Sequence, residues 1–372
     1  MQPSILSLAS FAVVSLAFAG CLGGGEDGPD GGVQLRFPLP PAGYPSLEDV
    51  PLPAIDGEAI RHTIATFSET FAPRVTGTRG DDLAEQWLVA QFRTMGYEVH
   101  VLRFHPRVQG QTVPASDGPL KAIVATKAGA QNPDHWIAWG GHYDTSVLLG
   151  PSDVPQQTLP TGHRVPPYGT GLTVQGAYDN GSGTGMTLEM ARVFANVTTN
   201  KTVAAILFNG EEEGLLASQA FARWYQEQSD FVIDHFTGFD MVGINWPAPG
   251  RPLLGTMGHQ FNGTYMPLME YVVHDVVGVP RNDSTALQLF GRNHRNSDEM
   301  NLDRIGIPTM RFAGMIHARD YWAYHKANDT METIHKQAGG PQNFAAGLAT
   351  VAQAAYWTLV AVDKMAVTPA NA

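Results

Sequence analysis

Residues 206–218 read ILFNGEEEGLLAS, and this stretch decides how the rest of the chain is interpreted. An apolar run typical of a buried strand ends at a glycine, three glutamates follow, and an apolar segment typical of a helix comes next. Glutamates are seldom fully buried without a partner. Three of them where a strand ends therefore indicate a bound cation or a catalytic role, and we interpret Glu211, Glu212 and Glu213 as half of a metal site.

Length and composition indicate a folded globular protein. The chain has 372 residues, of which 43% are hydrophobic and 16% charged, a balance that disordered chains do not have. The formal net charge of -12 argues against nucleic acid or an anionic membrane surface as a partner, because neither attracts an acidic surface.

The N-terminus is typical of an exported protein. Residues 1–20 are apolar and uncharged, which predicts a signal peptide, and they precede Cys21, the only cysteine. The junction resembles the lipobox of prokaryotic lipoproteins, so we expect a lipid on Cys21 and a cell-surface location. The alternative is an ordinary secretory signal. Residues 21–53 would supply the anchor cysteine, a Gly-rich linker and a Pro-rich arm on the surface of one domain, 54–372. No later apolar run is expected to reach the length of a membrane span.

Helical and strand patterns alternate through this domain. The predicted strands cover residues 97–104, 120–126, 135–139, 202–208, 236–241 and 307–312. The predicted helices cover residues 57–70, 81–95, 183–195, 215–228, 265–277 and 342–365. This alternation predicts an α/β sheet covered by helices on both faces.

Ionisable side chains follow several of these strands. The motifs are GGHYD at 140–144, GAYDNGSG at 176–183, the glutamate triplet, FDM at 239–241 and the later YHKANDT at 324–330. Each motif alone has an ordinary structural interpretation, as a turn, a cap or a solvated helix start. Together, two histidines and several carboxylates at strand ends have the composition of a zinc site. A carboxylate can also bridge two ions about 3.5–4 Å apart.

In this order, the motifs resemble those of metallopeptidase family 28, the aminopeptidases with two zinc ions and their glutamate carboxypeptidase relatives. The quoted segments are GGHYDT, GAYDNGSGTGMTLEMAR, FNGEEEGLLAS, FDMVG, NSDEMNLDRIGIP and YHKANDTMETI. The resemblance runs from about Arg74 to the last predicted helix. It implies a three-layer α/β/α sandwich whose central sheet is mixed and mostly parallel.

The resemblance also implies two Zn²⁺ ions per chain, each held by three ligands at defined positions. His142, Asp179 and Asp240 match the ligands of one zinc. Asp179, Glu212 and His325 match the ligands of the other, so that Asp179 bridges the two ions.

Three further residues match positions with a role in the family. Asp144 would orient the bridging aspartate or a ligand imidazole, Glu211 would be the general base, and the hydroxyl of Tyr324 would bind the oxyanion. The chain departs from the family's usual SDH, which is SDE at 297–299, and from Thr-Pro after the late histidine, which is Lys-Ala at 326–327. The remaining histidines match no ligand position, and we interpret them as surface or structural residues.

Several functions fit such a site. We expect an aminopeptidase acting on peptides, because the chain looks compact. We also expect a monomer. A carboxypeptidase of the same family, a glutaminyl-cyclase-like acyltransferase with one zinc, and a receptor-like ectodomain without catalysis are the alternatives. The Asp-Asn-Gly-Ser-Gly sequence from Asp179, and Tyr rather than Trp before His325, favour the peptidase over the cyclase.

Overall fold

A computed structural model describes residues 39–106, 117–146, 157–158, 164–165, 174–244, 256–257, 262–281, 297–314 and 321–367. The predicted signal peptide, Cys21 and the Gly-rich linker lie outside the described residues. So do most of residues 147–176, between the third predicted strand and the third predicted helix.

A mixed seven-stranded sheet occupies the centre, and three of its neighbouring pairs are parallel. Nine strands are described: β1 (Glu98–Phe104), β2 (Leu120–Lys127), β3 (Asn132–His142), β4 (Gln157–Thr158), β5 (Arg164–Val165), β6 (Lys201–Phe208), β7 (Val232–Asp240), β8 (Thr256–Met257) and β9 (Thr309–Ala313). The order across the sheet is β1-β2-β6-β3-β7-β9-β8, while β4 and β5 form a separate antiparallel pair. The predicted mixed, mostly parallel sheet is confirmed. Strands β6, β3, β7 and β9 form its parallel centre, and the pairs β1–β2, β2–β6 and β8–β9 towards its edges are antiparallel.

The helices cover both faces of this sheet. They are α1 (Gly57–Phe71), α2 (Arg79–Thr94), α3 (Ser182–Ala195), α4 (Leu216–Gln228), α5 (Asn262–Glu270), α6 (Glu299–Arg304), α7 (Met331–Ala338) and α8 (Pro341–Lys364). One core cluster packs α1, α2, α3 and α8 on one face, and a second packs α4 and α6 on the other.

Strand β6 shows why the sheet needs both layers. All eight of its residues are buried. Val203, Ala205 and Leu207 join the first cluster, whereas Ala204, Ile206 and Phe208 join the second. Successive side chains of a strand point to opposite faces. A run that is apolar at every position is therefore stable only where helices cover both faces.

The six predicted strands and six predicted helices all occur, with ends shifted by a few residues. Strand β3 is longer than predicted and reaches His142 itself. The helix predicted over 265–277 is split, because regular helix ends at Glu270 and a wider turn, Tyr271–Val276, continues it. Helices α6 and α7 and the two-residue strands were not predicted, since they are too short to show a periodic pattern.

The Pro-rich arm is more than a surface segment where the structure describes it, from residue 39. Leu47 is fully buried in the first core cluster, and the Tyr356 hydroxyl on α8 donates a hydrogen bond to the Pro51 carbonyl at 3.0 Å. The described part of the arm therefore packs against the domain, and the Leu47 side chain adds apolar area to the core.

The expectation that no later apolar run reaches the length of a membrane span is wrong for helix α8. Its 24 residues are long and apolar enough to cross a bilayer by length and composition, but 78% of its most apolar window is buried inside the protein. Since α8 packs against α1, α3 and β3, the burial is that of a core helix.

Among the histidines without a predicted ligand role, His235 on β7 is fully buried. Its Nε2 lies 2.9 Å from the Thr237 hydroxyl, and its ring lies 5.0 Å from the Tyr265 ring, centroid to centroid. Burial, assisted by the positive charge of Lys201, lowers the pKa of His235 to about 3. The interpretation of this histidine as structural is consistent with that environment.

The depressed pKa predicts a loss of stability in acid. Below pH 6.5 the unfolded chain binds a proton at His235, whereas the folded chain binds it only near pH 3. The free energy of unfolding therefore decreases as the pH falls from 6.5 to about 3. The loss is about 1.4 kcal/mol per pH unit, or about 2 kcal/mol at pH 5.

Urea unfolding of the wild type and of His235→Gln at pH 7.5 and pH 5 measures this effect. The variant should lose about 2 kcal/mol less than the wild type between the two pH values, since its amide does not titrate. Equal losses in the two proteins would show that His235 does not carry the acid sensitivity.

Candidate metal centre

The parallel strands bring the predicted site residues to one edge of the sheet. In the register between β3 and β6, His142 pairs with Phe208, which is three residues before Glu211. In the register between β3 and β7, Gly140 pairs with Gly238, so His142 and Asp240 lie level with each other. The carboxyl ends of parallel strands meet at the same edge, where α/β sheets bind ligands.

Two glycines allow the strands to close up beside His142. A Cβ atom on Gly140 would lie 1.6 Å from the Ile206 carbonyl oxygen, and one on Gly141 would lie 2.4 Å from that of Phe239. Real Cβ atoms do not approach backbone oxygens so closely. The GGH sequence therefore lets β3 pass between β6 and β7 and place its imidazole between their ends.

The five predicted ligands all lie together, in two groups. His142, Glu211 and Asp240 offer ligand atoms within 4.8 Å of one another, and Asp179, Glu212 and His325 do the same. Glu211, predicted as the general base, is thus close enough to be considered as a ligand.

Asp179 lies between the two imidazoles. Its Oδ1 is 3.3 Å from Nε2 of His142, and its Oδ2 is 3.2 Å from Nε2 of His325. One carboxylate that turns an oxygen to each histidine has the arrangement required of a bridge between two ions. Nε2 of His325 also lies 2.9 Å from Oε2 of Glu212.

Asp329 holds the backbone that carries Asp179. Its Oδ1 accepts hydrogen bonds from the Tyr178 N–H at 2.9 Å and the Tyr321 hydroxyl at 2.7 Å, and its Oδ2 accepts one from the Asp179 N–H at 3.0 Å. Asp329 is fully buried. It therefore joins the late loop of His325 to the turn of Asp179 and fixes both sides of the site.

Asp144 connects the first histidine to the glutamates. Its Oδ1 lies 3.4 Å from Nδ1 of His142, the nitrogen that faces away from Asp179. The backbone N–H groups of Glu211 and Glu212 donate to its two oxygens at 3.4 and 3.3 Å. Asp144 can thus orient the imidazole, one of the two roles expected for it, and it also positions the glutamate turn.

Three residues outside glycine have a left-handed backbone in the part of the chain that the structure describes, and all three adjoin the centre. They are Leu215 (φ 62°), Met241 (φ 50°) and His325 (φ 54°). Such conformations cost energy in non-glycine residues and cluster at functional sites. Helix α4 begins at Leu216, so Glu213 lies in the preceding turn and not in the first turn of the helix.

Tyr324 stacks on His325, with ring centroids 3.6 Å apart. Burial raises the pKa of its hydroxyl well above the ordinary value, and the charges of Asp179 and Glu212 raise it further. The hydroxyl therefore stays protonated and can donate a hydrogen bond to a group in the site, as the oxyanion role requires.

Carboxylates outnumber cationic groups around the centre. Burial raises the pKa of Glu211 well above its usual range, with Asp240 and Glu212 adding to the effect against the opposing charge of His142. Burial, with repulsion from Asp179, likewise raises the pKa of Glu212 to about 7. Burial also opposes ionisation of Asp179, but the hydrogen bonds of the two histidines outweigh it and lower its pKa.

These residues fit divalent zinc. Oε1 of Glu212 and Oδ1 of Asp240 are buried and have no hydrogen-bond partner among the described residues, and Nε2 of His142 lies 3.8 Å from that Oδ1. Buried polar atoms normally have partners. Imidazole nitrogens and carboxylate oxygens are zinc ligands, and a doubly charged cation would satisfy these atoms and offset the excess negative charge.

The departure from the family's SDH has a local explanation. Glu299 is buried, and its Oε1 lies 3.4 Å from Nη1 of Arg311 on β9. The same Nη1 lies 3.8 Å from Oδ2 of Asp240. The residue that replaces the usual histidine is therefore paired with a cation behind a predicted ligand.

Sequence reasoning missed Asp329 and Arg311. Asp329 stands in the quoted YHKANDT motif, four residues after His325, where an acidic residue could have been suspected. Arg311 lies within a predicted strand, and a single buried arginine in an apolar run is the one sequence signal for it.

Solved structures share the fold. The structure superposes on Fimbriiglobus ruber glutaminyl cyclase with a TM-score of 0.58 and 18% identity, covering 86% of this chain and 99% of that one. A leucine aminopeptidase precursor from Bacteroides thetaiotaomicron gives a TM-score of 0.58 and 17% identity, covering 84% and 99%. The predicted three-layer α/β/α fold is thus confirmed, whereas identities this low say nothing about which reaction this chain performs.

Relatives in sequence carry peptidase names. A probable zinc metalloprotease of Pyrenophora teres f. teres is 29% identical over 235 residues, 54% of this chain and 46% of that protein. Aminopeptidase YwaD of Bacillus subtilis is 32% identical over 165 residues, 44% of this chain and 34% of that protein. The chain thus spans less than half the length of these relatives. The model of peptidase family M28 matches residues 122–350, which include every predicted ligand, and the chain belongs to that family.

Proposed function

We propose that this protein is a two-zinc aminopeptidase that hydrolyses the N-terminal peptide bond of peptides. The observation that carries the proposal is the position of Asp179, whose two carboxylate oxygens lie 3.3 and 3.2 Å from two different histidines. A site for one ion would need neither the second histidine nor a carboxylate shared in this way. Family membership supports hydrolysis, and the name of the Bacillus subtilis relative supports an aminopeptidase.

In this proposal, His142 and Asp240 would hold one zinc, Glu212 and His325 would hold the other, and Asp179 would contribute to both. Zinc bound there would polarise the scissile carbonyl and make a water molecule more acidic. Asp144 and Asp329 keep the ligands in place, because they fix the imidazole of His142 and the backbone of Asp179.

Glu211 carries the proton transfers in this proposal, and Tyr324 stabilises the oxyanion. The Glu211 carboxylate accepts a proton from the attacking water and returns it to the leaving amine, so the side chain ends the cycle as it began. The Tyr324 hydroxyl, kept protonated by its surroundings, donates a hydrogen bond to the oxygen that becomes negative as the carbonyl is attacked.

A substrate panel tests the activity. Aminoacyl p-nitroanilides with a free α-amine should be cleaved, their N-acetylated forms should not, and removal of metal by a chelator should lower the rate at least a hundredfold until zinc is restored. Release of p-nitroaniline measures all three, with N-terminal glutaminyl peptides and C-terminally free peptides assayed in parallel. Cyclisation of the glutaminyl peptide without hydrolysis would favour the cyclase alternative, and cleavage at the C-terminus the carboxypeptidase.

Substitution Glu211→Gln separates a base from a ligand. If Glu211 is the base, the variant retains two zinc ions while kcat falls by about 10³-fold, since general base catalysis contributes about 10²–10⁴-fold. Elemental analysis after gel filtration gives the zinc content. Glu213→Gln, two residues further and in neither group of ligand atoms, is the control and should remain near the wild-type rate. Loss of one zinc from Glu211→Gln would instead make Glu211 a ligand.

The shared role of Asp179 can be tested through Asp329. Asp329→Ala leaves the Tyr178 and Asp179 N–H groups without their acceptors, at a cost of about 1–3 kcal/mol for each buried donor. Both zinc ions should then dissociate more readily into a chelator, since the displaced carboxylate serves both. Tyr321→Phe removes only the phenolic hydrogen bond to Asp329 and should retain both ions. Weakening of a single ion in Asp329→Ala would argue against a bridge.

A further inference from the structure

Arg311 and Glu299 form a buried pair directly behind Asp240. The side chains of Arg311, Glu299 and Asp240 are 6%, 3% and 8% exposed, so water screens their charges little. Nη1 of Arg311 lies 3.4 Å from Oε1 of Glu299 and 3.8 Å from Oδ2 of Asp240. One guanidinium therefore faces two carboxylates, of which only Asp240 is a predicted ligand.

Strand register places this pair next to β7. Arg311 on β9 is the register partner of Gly238 on β7, and Gly238 lies two residues before Asp240, on the same face of the strand. A Cβ atom on Gly238 would lie within 3.4–3.6 Å of Glu299 and Arg311 side-chain atoms. Glu299 is the first residue of α6, which packs against β7 and β9.

The two oxygens of Asp240 face different partners. Oδ1 lies 3.8 Å from Nε2 of His142, on the side of the metal centre, and Oδ2 lies on the side of Arg311. A metal-binding carboxylate commonly turns one oxygen to the ion and has the other held from outside. Arg311 occupies the outer position.

Arginine in that position needs a counterion. Its guanidinium does not lose its proton in proteins. An unbalanced positive charge 3.8 Å from Asp240 would repel a zinc ion and compete with it for the carboxylate. The nearby Glu299 carboxylate offsets that charge, so Arg311 can orient Asp240 without opposing the ion.

We propose that Glu299 and Arg311 act as a charge-balanced positioning pair for the zinc held by His142, Asp179 and Asp240, and that Glu299 is retained in place of the family's histidine because Arg311 requires it. The inference rests on the proposed two-zinc site, which it extends to residues that touch neither ion.

Zinc retention in three variants tests the pair. Wild type, Glu299→Gln, Arg311→Met and the double variant are loaded with zinc and titrated with a chromogenic chelator, which reports the number of ions released and the chelator concentration for each. Glu299→Gln should release one of two ions at a chelator concentration at least tenfold lower than the wild type. The double variant should return to within about threefold of it, since both charges are then absent.

Arg311→Met leaves two buried carboxylates without the cation between them, so its folded fraction is checked by circular dichroism. It should hold the ion at least as tightly as Glu299→Gln does. In a His325→Ala background, which lacks a ligand of the other ion, Glu299→Gln should weaken the one zinc that remains.

Asp234→Asn is the matched control. Asp234 lies on the same strand, about 20 Å from Asp240 at 3.3 Å per residue, and pairs with buried Lys201 at 2.7 Å. The Asp234→Asn variant should be less stable than the wild type but should release zinc at the same chelator concentration.

Two results would overturn the proposed pair. One is zinc release from Glu299→Gln at the wild-type chelator concentration, and the other is a double variant that retains zinc no better than Glu299→Gln. A wild type that binds only one zinc would overturn the two-ion site, while Glu299→Gln would still show whether the pair supports that ion. A chain that binds no zinc would overturn both.

Discussion

The repulsion among buried carboxylates at one edge of the sheet is the constraint that organises this protein. The acidic side chains gathered there are Asp144, Asp179, Glu211, Glu212, Asp240, Asp298 and Glu299. Two histidines and the guanidinium groups of Arg74 and Arg311 oppose them. Without cations several of these acids ionise only at raised pH, as the pKa of about 7 at Asp298, raised chiefly by burial, illustrates. The fold thus holds in place an array whose charge calls for divalent ions.

The scaffold supplies the rigidity that such an array requires. Strand β6 is buried on both faces, and β3 ends level with it, so the predicted ligands project from a part of the sheet that helices cover on both sides. Hydrogen bonds then fix what the strands do not. Asp329 ties the turn of Asp179 to the loop of His325, and Asp144 ties His142 to the glutamate turn. Among the described residues, the three non-glycine residues with a left-handed backbone, Leu215, Met241 and His325, all adjoin this centre.

Nearest neighbours in sequence can have distinct roles in this arrangement. Glu211 belongs to the group with His142, Glu212 to the group with His325, and Glu213 to neither. The turn after β6 therefore aims consecutive side chains in different directions. The two oxygens of one side chain can also have different partners, as in Asp240, where one faces His142 and the other faces Arg311.

Local pattern determined much of this structure from sequence alone. Apolar runs and helical periodicity located the six longer strands and six longer helices, because burial on both faces of a strand leaves an unbroken apolar run and burial of one helix stripe leaves a helical period. Motif order predicted five ligand positions, which the structure brings together in two groups. What only the tertiary structure decided was the pairing of distant residues: Asp329 with the Asp179 backbone, Leu47 with the core, and Glu299 with Arg311. These contacts depend on strand register and helix packing, and a side chain's partner across the sheet leaves no mark in its own neighbourhood of the sequence.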